Sequence, residues 1–321
     1  MALHRVFGAL IESGIPLFDP VVSEGAEPNY LFHLFPAASP GLREFEWVYQ
    51  TISLDGCEWL SMAKRDSEFV LRFAEMADFV ISSDLRQIKC YPQPDTPIET
   101  IRHLFLDQVF PYLLTSHDQL ALHAGAVVID DEAIAFLGES GRGKSTLCAS
   151  FGHCGMRLIG DDCLLLKKEN GKIFCMPGYP GVRLWDQSVS ALFSEPMVSP
   201  VAHYSRKHRL NTRDNNIPFA TDPIPLKKIY LLSPLDPLAN EAADEAADKD
   251  RIVVTPVAPN EAFKHLLNSS FRLNVDDRDE IRDEFNLISH ILSNVQVSRL
   301  SFPHEFAALP KVHQAIYADL D

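Results

Sequence analysis

Phe136-Leu137-Gly138-Glu139-Ser140-Gly141-Arg142-Gly143-Lys144-Ser145-Thr146 is the stretch that decides how this chain folds. Gly138, Gly143, Lys144 and Ser145 meet the pattern G-x-x-x-x-G-K-[ST] in full. The apolar run Ile134 to Leu137 reads as a strand entering the loop. Lys144 to Phe151 reads as a helix leaving it, closed by Gly152 and Gly155. Strand, loop and helix in that order let backbone N–H groups converge on phosphate oxygens at the positive end of a helix. Gly138 to Thr146 is therefore the candidate nucleotide-binding element. Within it, Lys144 is placed to reach the β- and γ-phosphates and the Ser145 hydroxyl to hold Mg²⁺.

Outward from the loop, His123 to Ile129 and Glu132 to Leu137 are strand-like runs separated only by Asp130-Asp131, which predicts a tight hairpin. Downstream, Met156 to Ile159 is a short strand ending at Gly160-Asp161-Asp162. Leu164 to Lys168 and Lys172 to Met176 then flank Glu169-Asn170-Gly171, a second hairpin signal. Hairpins on both sides of a phosphate loop predict a mixed α/β sheet, since doubly wound parallel folds alternate strand and helix instead. The chain has no LSGGQ-like segment of transporter ATPases and no N-K-x-D of GTPases. The pair Asp161-Asp162 begins seventeen residues beyond Lys144, at the C-terminal end of an apolar strand. Carboxylates there can serve two jobs: one holds a metal and the other accepts a proton from an attacking hydroxyl.

These residues resemble a known family. Leu122-His123-Ala124-Gly125-Ala126-Val127, Gly138 to Ser145, and Gly155-Met156-Arg157-Leu158-Ile159-Gly160-Asp161-Asp162 are similar to the catalytic domain of HPr kinase/phosphorylase. They resemble more closely the HPr-kinase-related proteins that include kinases of lasso-peptide precursors. The resemblance spans roughly residues 120 to 185 and continues more loosely through Pro177 to Trp185 and Pro225 to Leu232. It implies that Asp161 is the catalytic base toward a serine hydroxyl, that Asp162 lies near the metal, and that His123 lies beside the transferring phosphate. Where those kinases carry a glutamate directly after G-K-S, this chain has Thr146. A threonine does not replace that negative charge, so the reverse phosphorylase activity is not carried over.

Arg183 follows a Pro/Gly-rich loop, and Tyr204-Ser205-Arg206-Lys207-His208-Arg209 is the densest basic cluster of the chain. Phosphoryl transfer needs cations around charge-loaded oxygens, which makes Arg183, Arg206, Lys207 and Arg209 candidate clamps. They stand out because the chain is acidic: 29 Lys and Arg against 44 Asp and Glu give a net charge of −15. That balance argues against a nucleic-acid binder and permits a basic peptide partner. With 321 residues and 46% hydrophobic content, the chain can bury two cores. Six cysteines without C-x-x-C pairing point to reduced thiols. The absence of a long apolar start or a membrane-length segment points to a cytoplasmic location.

Two domains are expected. Residues 1–95 alternate strand-like runs and turns, predicting a mostly antiparallel β-rich domain suited to recognition. Residues 96–321 form the phosphate-loop domain, with an acidic, exposed insertion over about 236–250. Thr96-Pro97-Ile98-Glu99 predicts a helix start with Thr96 as cap. Helices are expected at Glu261 to Leu267, Arg278 to Leu292 and Leu309 to Ala318, with a strand at Val295 to Leu300. The functional expectation is an ATP- and Mg²⁺-dependent kinase acting on a serine of a peptide or small protein, with self-assembly left open. Two other readings stand beside it: a kinase of a small hydroxyl metabolite, and a non-catalytic nucleotide sensor.

Overall fold

Short runs of β-branched and aromatic residues between Gly, Pro and Asp turns fold as strands in both units of the chain. The computed structural model describes residues 1–18, 26–36, 46–52, 56–65, 68–115, 118–234, 251–273 and 277–321. The expected acidic insertion at about 236–250 lies outside the described residues. The chain divides into two units, Met1–Leu113 with Pro200–Arg206, and Leu114–Ser199 with Lys207–Asp321. Among the described residues no helix is long and apolar enough to cross a membrane.

The first unit is one eight-stranded sheet built from β1 (Ala2–Val6), β2 (Ala9–Ser13), β3 (Tyr30–Leu34), β4 (Tyr49–Ile52), β5 (Glu58–Arg65), β6 (Glu68–Phe73), β7 (Ala77–Ile81) and β8 (Gln87–Pro92). Its order is β1-β2-β3-β8-β7-β6-β5-β4. The pairings β2–β3 and β3–β8 are parallel and the others antiparallel. Helix α1 (Ile98–Leu104), a π-helical turn (Phe105–Val109) and α2 (Phe110–Leu114) follow. The Phe105 ring stacks on Phe32 of β3 at 3.9 Å. The helix starts one residue later than its capping pattern predicts. Pro97 holds the cap position in an extended conformation. The Thr96 hydroxyl instead donates to the Met76 carbonyl at 2.9 Å, so a tertiary hydrogen bond outcompetes the local cap.

The second unit contains β9 (Gln119–Leu122), β10 (Gly125–Ile129), β11 (Glu132–Leu137), α3 (Lys144–His153), β12 (Leu158–Gly160), β13 (Leu164–Glu169), β14 (Lys172–Met176), β15 (Gly181–Trp185), α4 (Asp186–Leu192), β16 (Val198–Pro200), β17 (Lys207–Asn211), β18 (Ile224–Ser233), β19 (Val253–Pro256), α5 (Pro259–Ser269), α6 (Arg278–Asn294), β20 (Gln296–Ser301) and α7 (Leu309–Leu320). The main sheet runs β12-β10-β11-β18-β14-β13-β9, with β20 beside β18 and β19 beside β20. Parallel β11–β18 and β18–β20 pairs among antiparallel ones make it the mixed α/β sheet expected. Both predicted hairpins form. Their turns place Asp130 and Asp131 at φ 51° and 61°, and Asn170 and Gly171 at 51° and 76°. Two successive left-handed residues match the twist of a two-residue hairpin.

The sheet is buried on both faces, and β11 shows the division. Ala133, Ala135 and Leu137 join the core formed with Leu266 of α5 and Leu287, Ile288 and Ile291 of α6. Ile134 and Phe136 join Leu147 and Phe151 of α3 and Val312 and Ile316 of α7. The period-two pleat thus supplies both layers from one strand. Each large apolar side chain buried this way contributes about 1.5–3 kcal/mol.

One departure from expectation positions the site. The run from His123 is not one strand into β10: β9 ends at Leu122 and β10 begins at Gly125. β9 pairs with β13 while β10 pairs with β12, so His123-Ala124 steps from one part of the sheet to the other. The link from β12 to β13, Asp161-Asp162-Cys163, makes the same step. Two crossings of one seam set His123 next to the acidic pair.

Candidate functional site

The loop leaves β11 at Leu137 and reaches α3 through Gly143, which caps the helix at φ 89°. A side chain there would strain the backbone. Gly138 is needed for two reasons: its φ is 148°, and a Cβ would lie 2.9 Å from the Leu232 carbonyl oxygen. Lys144 is buried and donates through Nζ to the carbonyls of Gly138 at 2.7 Å and Glu139 at 3.1 Å. Desolvation lowers its pKa to about 8; the Asp161 carboxylate opposes that shift, while Lys207 and Arg183 add to it. Glu139 and Arg142 pair with each other at 3.0 Å on the outside of the loop.

A cavity with about 420 Å³ of empty space opens over the loop. It is lined by Ser140, Gly141, Gly143, Lys144, Ser145 and Thr146 from the loop and α3. His123 and Asp162 line it from the seam, and Arg183, Leu184, Trp185 and Lys207 from β15 and β17. In the β15–β17 register Arg183 faces Arg209 and Trp185 faces Lys207, so all four side chains leave the same face of this strand pair. Lys207 Nζ lies 5.7 Å from the centre of the Trp185 ring.

The two aspartates are placed differently. Asp162 borders the cavity and forms an ion pair with the Arg183 guanidinium. Its backbone is left-handed at φ 63°, a conformation Asp tolerates better than most residues. Asp161 is only 3% exposed and is absent from the cavity lining. Its Oδ2 accepts from the Arg183 backbone N–H at 2.9 Å, and its Oδ1 has no hydrogen-bond partner among the described residues. His123 Nδ1 lies 3.0 Å from the Asp162 carbonyl oxygen. A carbonyl only accepts, so Nδ1 carries the hydrogen and Nε2 of the neutral ring carries the lone pair. That Nε2 is 4.0 Å from Asp162 Oδ1.

Among the candidate clamps, Arg183 and Lys207 reach the cavity. Arg209 is buried with its guanidinium 5.0 Å from the centre of the Tyr179 ring, outside the cavity lining. Arg206 is exposed and belongs to the first unit, also outside that lining. Trp185, like Leu184, is a cavity residue that carried no expected role. Its signal was its place two residues beyond Arg183 on a strand, which puts both on one face. Thr146 borders the cavity, but its hydroxyl is hydrogen-bonded to Ser188 at 2.9 Å.

No family model matches this chain, and no curated protein matches it. Among solved structures, it is similar to the HPr(Ser) kinase/phosphatase from Coxiella burnetii. Identity is 12%, the alignment covers 62% of this chain and 90% of that one, and the TM-score is 0.34. A similarity at that level says nothing of activity, and the chemistry rests on the side chains themselves.

Those side chains fit a triphosphate. Lys144 Nζ lies against the Gly138 and Glu139 carbonyls, inside the loop whose residues line the cavity. They also fit a nucleotide-bound Mg²⁺, which takes one or two carboxylates or hydroxyls together with substrate phosphates and water. Ser145 and Asp162 line the cavity and would be its ligands there. Among the described residues no cluster of three or more His, Cys, Asp or Glu forms a protein-only metal cage.

Proposed function

We propose that the chain is a Mg²⁺-dependent kinase that transfers the γ-phosphate of ATP to a serine hydroxyl of a peptide or small protein. A ribosomal peptide precursor of the lasso type is the leading acceptor class. The observation that carries this reading is the convergence of loop, Lys144, Ser145, His123, Asp162, Arg183 and Lys207 on one cavity. The transition state of phosphoryl transfer spreads charge over three equatorial oxygens, so cations placed around it do most of the catalytic work. Lys144, Arg183 and Lys207 supply those cations. Ser145 and Asp162 would hold Mg²⁺, which when bound offsets charge on the phosphate oxygens.

The serine oxygen attacks the γ-phosphorus, the bond to the β-bridging oxygen breaks, and ADP leaves. The serine proton goes to a carboxylate. Asp162 is engaged by Arg183, whereas Asp161 keeps one buried oxygen without a hydrogen-bond partner, which favours Asp161 as the acceptor of that proton. Its carboxylate must turn toward the cavity to act, an adjustment common between free and substrate-bound sites. His123, beside Asp162 in the cavity lining, would orient the hydroxyl or the phosphate.

Asp161→Asn should abolish transfer from labelled ATP to a serine-bearing precursor peptide while leaving nucleotide affinity within about threefold, since the change removes a proton acceptor and not a phosphate ligand. Unimpaired transfer sinks this assignment of the base. Running the same assay with free hydroxyl metabolites decides between peptide and small-molecule acceptors. The engagement of Thr146 by Ser188 favours one other reading, a nucleotide sensor, which predicts ATP binding without transfer to any acceptor.

A further inference from the structure

A second cavity, with about 710 Å³ of empty space, adjoins the first across the loop. Both are lined by Gly141, Gly143, Thr146 and Trp185. They differ in what lies beyond. The first holds Lys144, His123, Asp162 and Arg183. The second holds Phe302 and Leu309 deep in its wall and His304, Glu305 and Phe306 toward solvent. Resting on the kinase reading, we infer that this second cavity is the nucleobase and ribose subsite of the nucleotide, with Trp185 and Phe306 as its stacking surfaces.

Polarity along the bound molecule fixes the direction. Lys144 of a phosphate loop reaches the β- and γ-phosphates, while the loop backbone cradles the α- and β-phosphates. The γ-phosphate end must face the acceptor, beside His123 and Asp162. The nucleoside must then leave in the other direction, over Gly141, Gly143 and Thr146, which is where the second cavity begins.

The wall chemistry matches that occupant. Trp185 is 50% exposed and Phe306 is 40% exposed, although aromatic rings of this size usually bury most of their surface. Phe302 and His304 are stacked with ring centres 5.9 Å apart. Flat aromatic walls with a few polar groups at the rim are the usual make-up of a small-molecule site. Glu305 and Gln187, both exposed, supply those groups, as acceptors or donors for ribose hydroxyls and base edges.

The test compares ATP with inorganic tripolyphosphate, which fills the phosphate loop and has no base. Trp185→Ala and Phe306→Ala, each at a partly exposed position, should weaken ATP binding by about tenfold or more, because a base stacked on an aromatic ring is worth that much. Tripolyphosphate affinity should stay within about twofold, since the loop is untouched. Trp185→Phe keeps a ring and should restore most of the ATP affinity, while removing the quench of tryptophan fluorescence on ATP addition. ATP and tripolyphosphate affinities that fall together, or neither falling, overturn the subsite. So does a rise in the KM for the acceptor peptide with ATP affinity unchanged, which would make the cavity an acceptor site. ATP binding that depends on Trp185 without transfer to any acceptor supports the subsite and removes the kinase reading instead.

Discussion

At the scale of single residues, Lys144 carries the sharpest consequence. Burial holds its pKa down to about 8. A triphosphate brings negative charge to the ammonium and draws its pKa back up. Below about pH 8 the free and bound forms carry the same proton, and affinity is at its maximum. As pH rises past 8 the free protein loses the proton first, so binding must take one up and affinity falls. Calorimetry of ATP binding in buffers of different ionisation enthalpy should show proton uptake approaching one between pH 8 and 10, and none at pH 7. A flat profile would mean that Lys144 does not meet the phosphates. Gly138→Ala should be nearly as damaging to nucleotide binding as Lys144→Ala, because its methyl meets the Leu232 carbonyl oxygen at 2.9 Å on a backbone already at φ 148°. The measurement is nucleotide affinity beside a thermal melt, and wild-type affinity in the alanine variant would refute the conformational argument.

At the scale of elements, α3 carries the loop at its N-terminus and is held along its length by α7. Phe151 of α3 stacks on His313 at 3.8 Å, and His313 Nε2 lies 2.7 Å from the Ser150 hydroxyl. Desolvation lowers the His313 pKa to about 4. The folded state therefore holds His313 neutral, while the unfolded chain protonates it near pH 6.5. Its contribution is intact above pH 6.5 and is lost as pH falls toward 4, by roughly 3 kcal/mol when the drop is complete. Urea midpoints at pH 7 and pH 4.5 should differ less in His313→Gln than in the wild type, since glutamine keeps a polar group and does not titrate. Equal differences would show that the histidine is not the titrating group.

Elements were legible where local chemistry alone forms them. Asp130-Asp131 and Asn170-Gly171 tolerate left-handed backbone, so both hairpins could be read from four residues. Gly138 to Ser145 fixed the loop in the same way. The β15–β17 pairing was not legible, because the register that sets Trp185 against Lys207 joins strands separated by α4, β16 and the residues after it. The same non-locality hid the break at His123-Ala124. No residue in that run signals a step, which exists only because β9 and β10 take different partners. Arg206 and Arg209 looked equivalent to Lys207 in the basic cluster. In the fold Arg206 belongs to the first unit and Arg209 packs over the Tyr179 ring, neither of which is written locally.

At the scale of the whole molecule, the two units are not successive along the chain. Pro200–Arg206 belongs to the first unit, although residues on both sides of it belong to the second. Within the first unit this segment is held by His203 on the Thr100 hydroxyl at 2.9 Å and by Tyr204 against Trp59 at 5.2 Å, with Val201 and Ala202 buried. A fragment spanning residues 114–321 should therefore keep its segment 200–206 without those partners. Limited proteolysis should cut it there at least about tenfold faster than the full chain, because exposed loop backbone is the preferred target. Equal cutting rates would mean that the segment holds its structure alone.

That excursion also bears on how such a chain can be inherited. A single recombination point can exchange domains that follow one another, and the product folds because each piece carries all of its own residues. Here no single crossover moves the first unit intact. A transfer at the 113/114 boundary would leave seven residues behind, inside the partner's gene, and those residues lead directly into Lys207 at the cavity over the loop. Shuffled descendants would need a matching segment already in place, so the two units should be found together and diverge together.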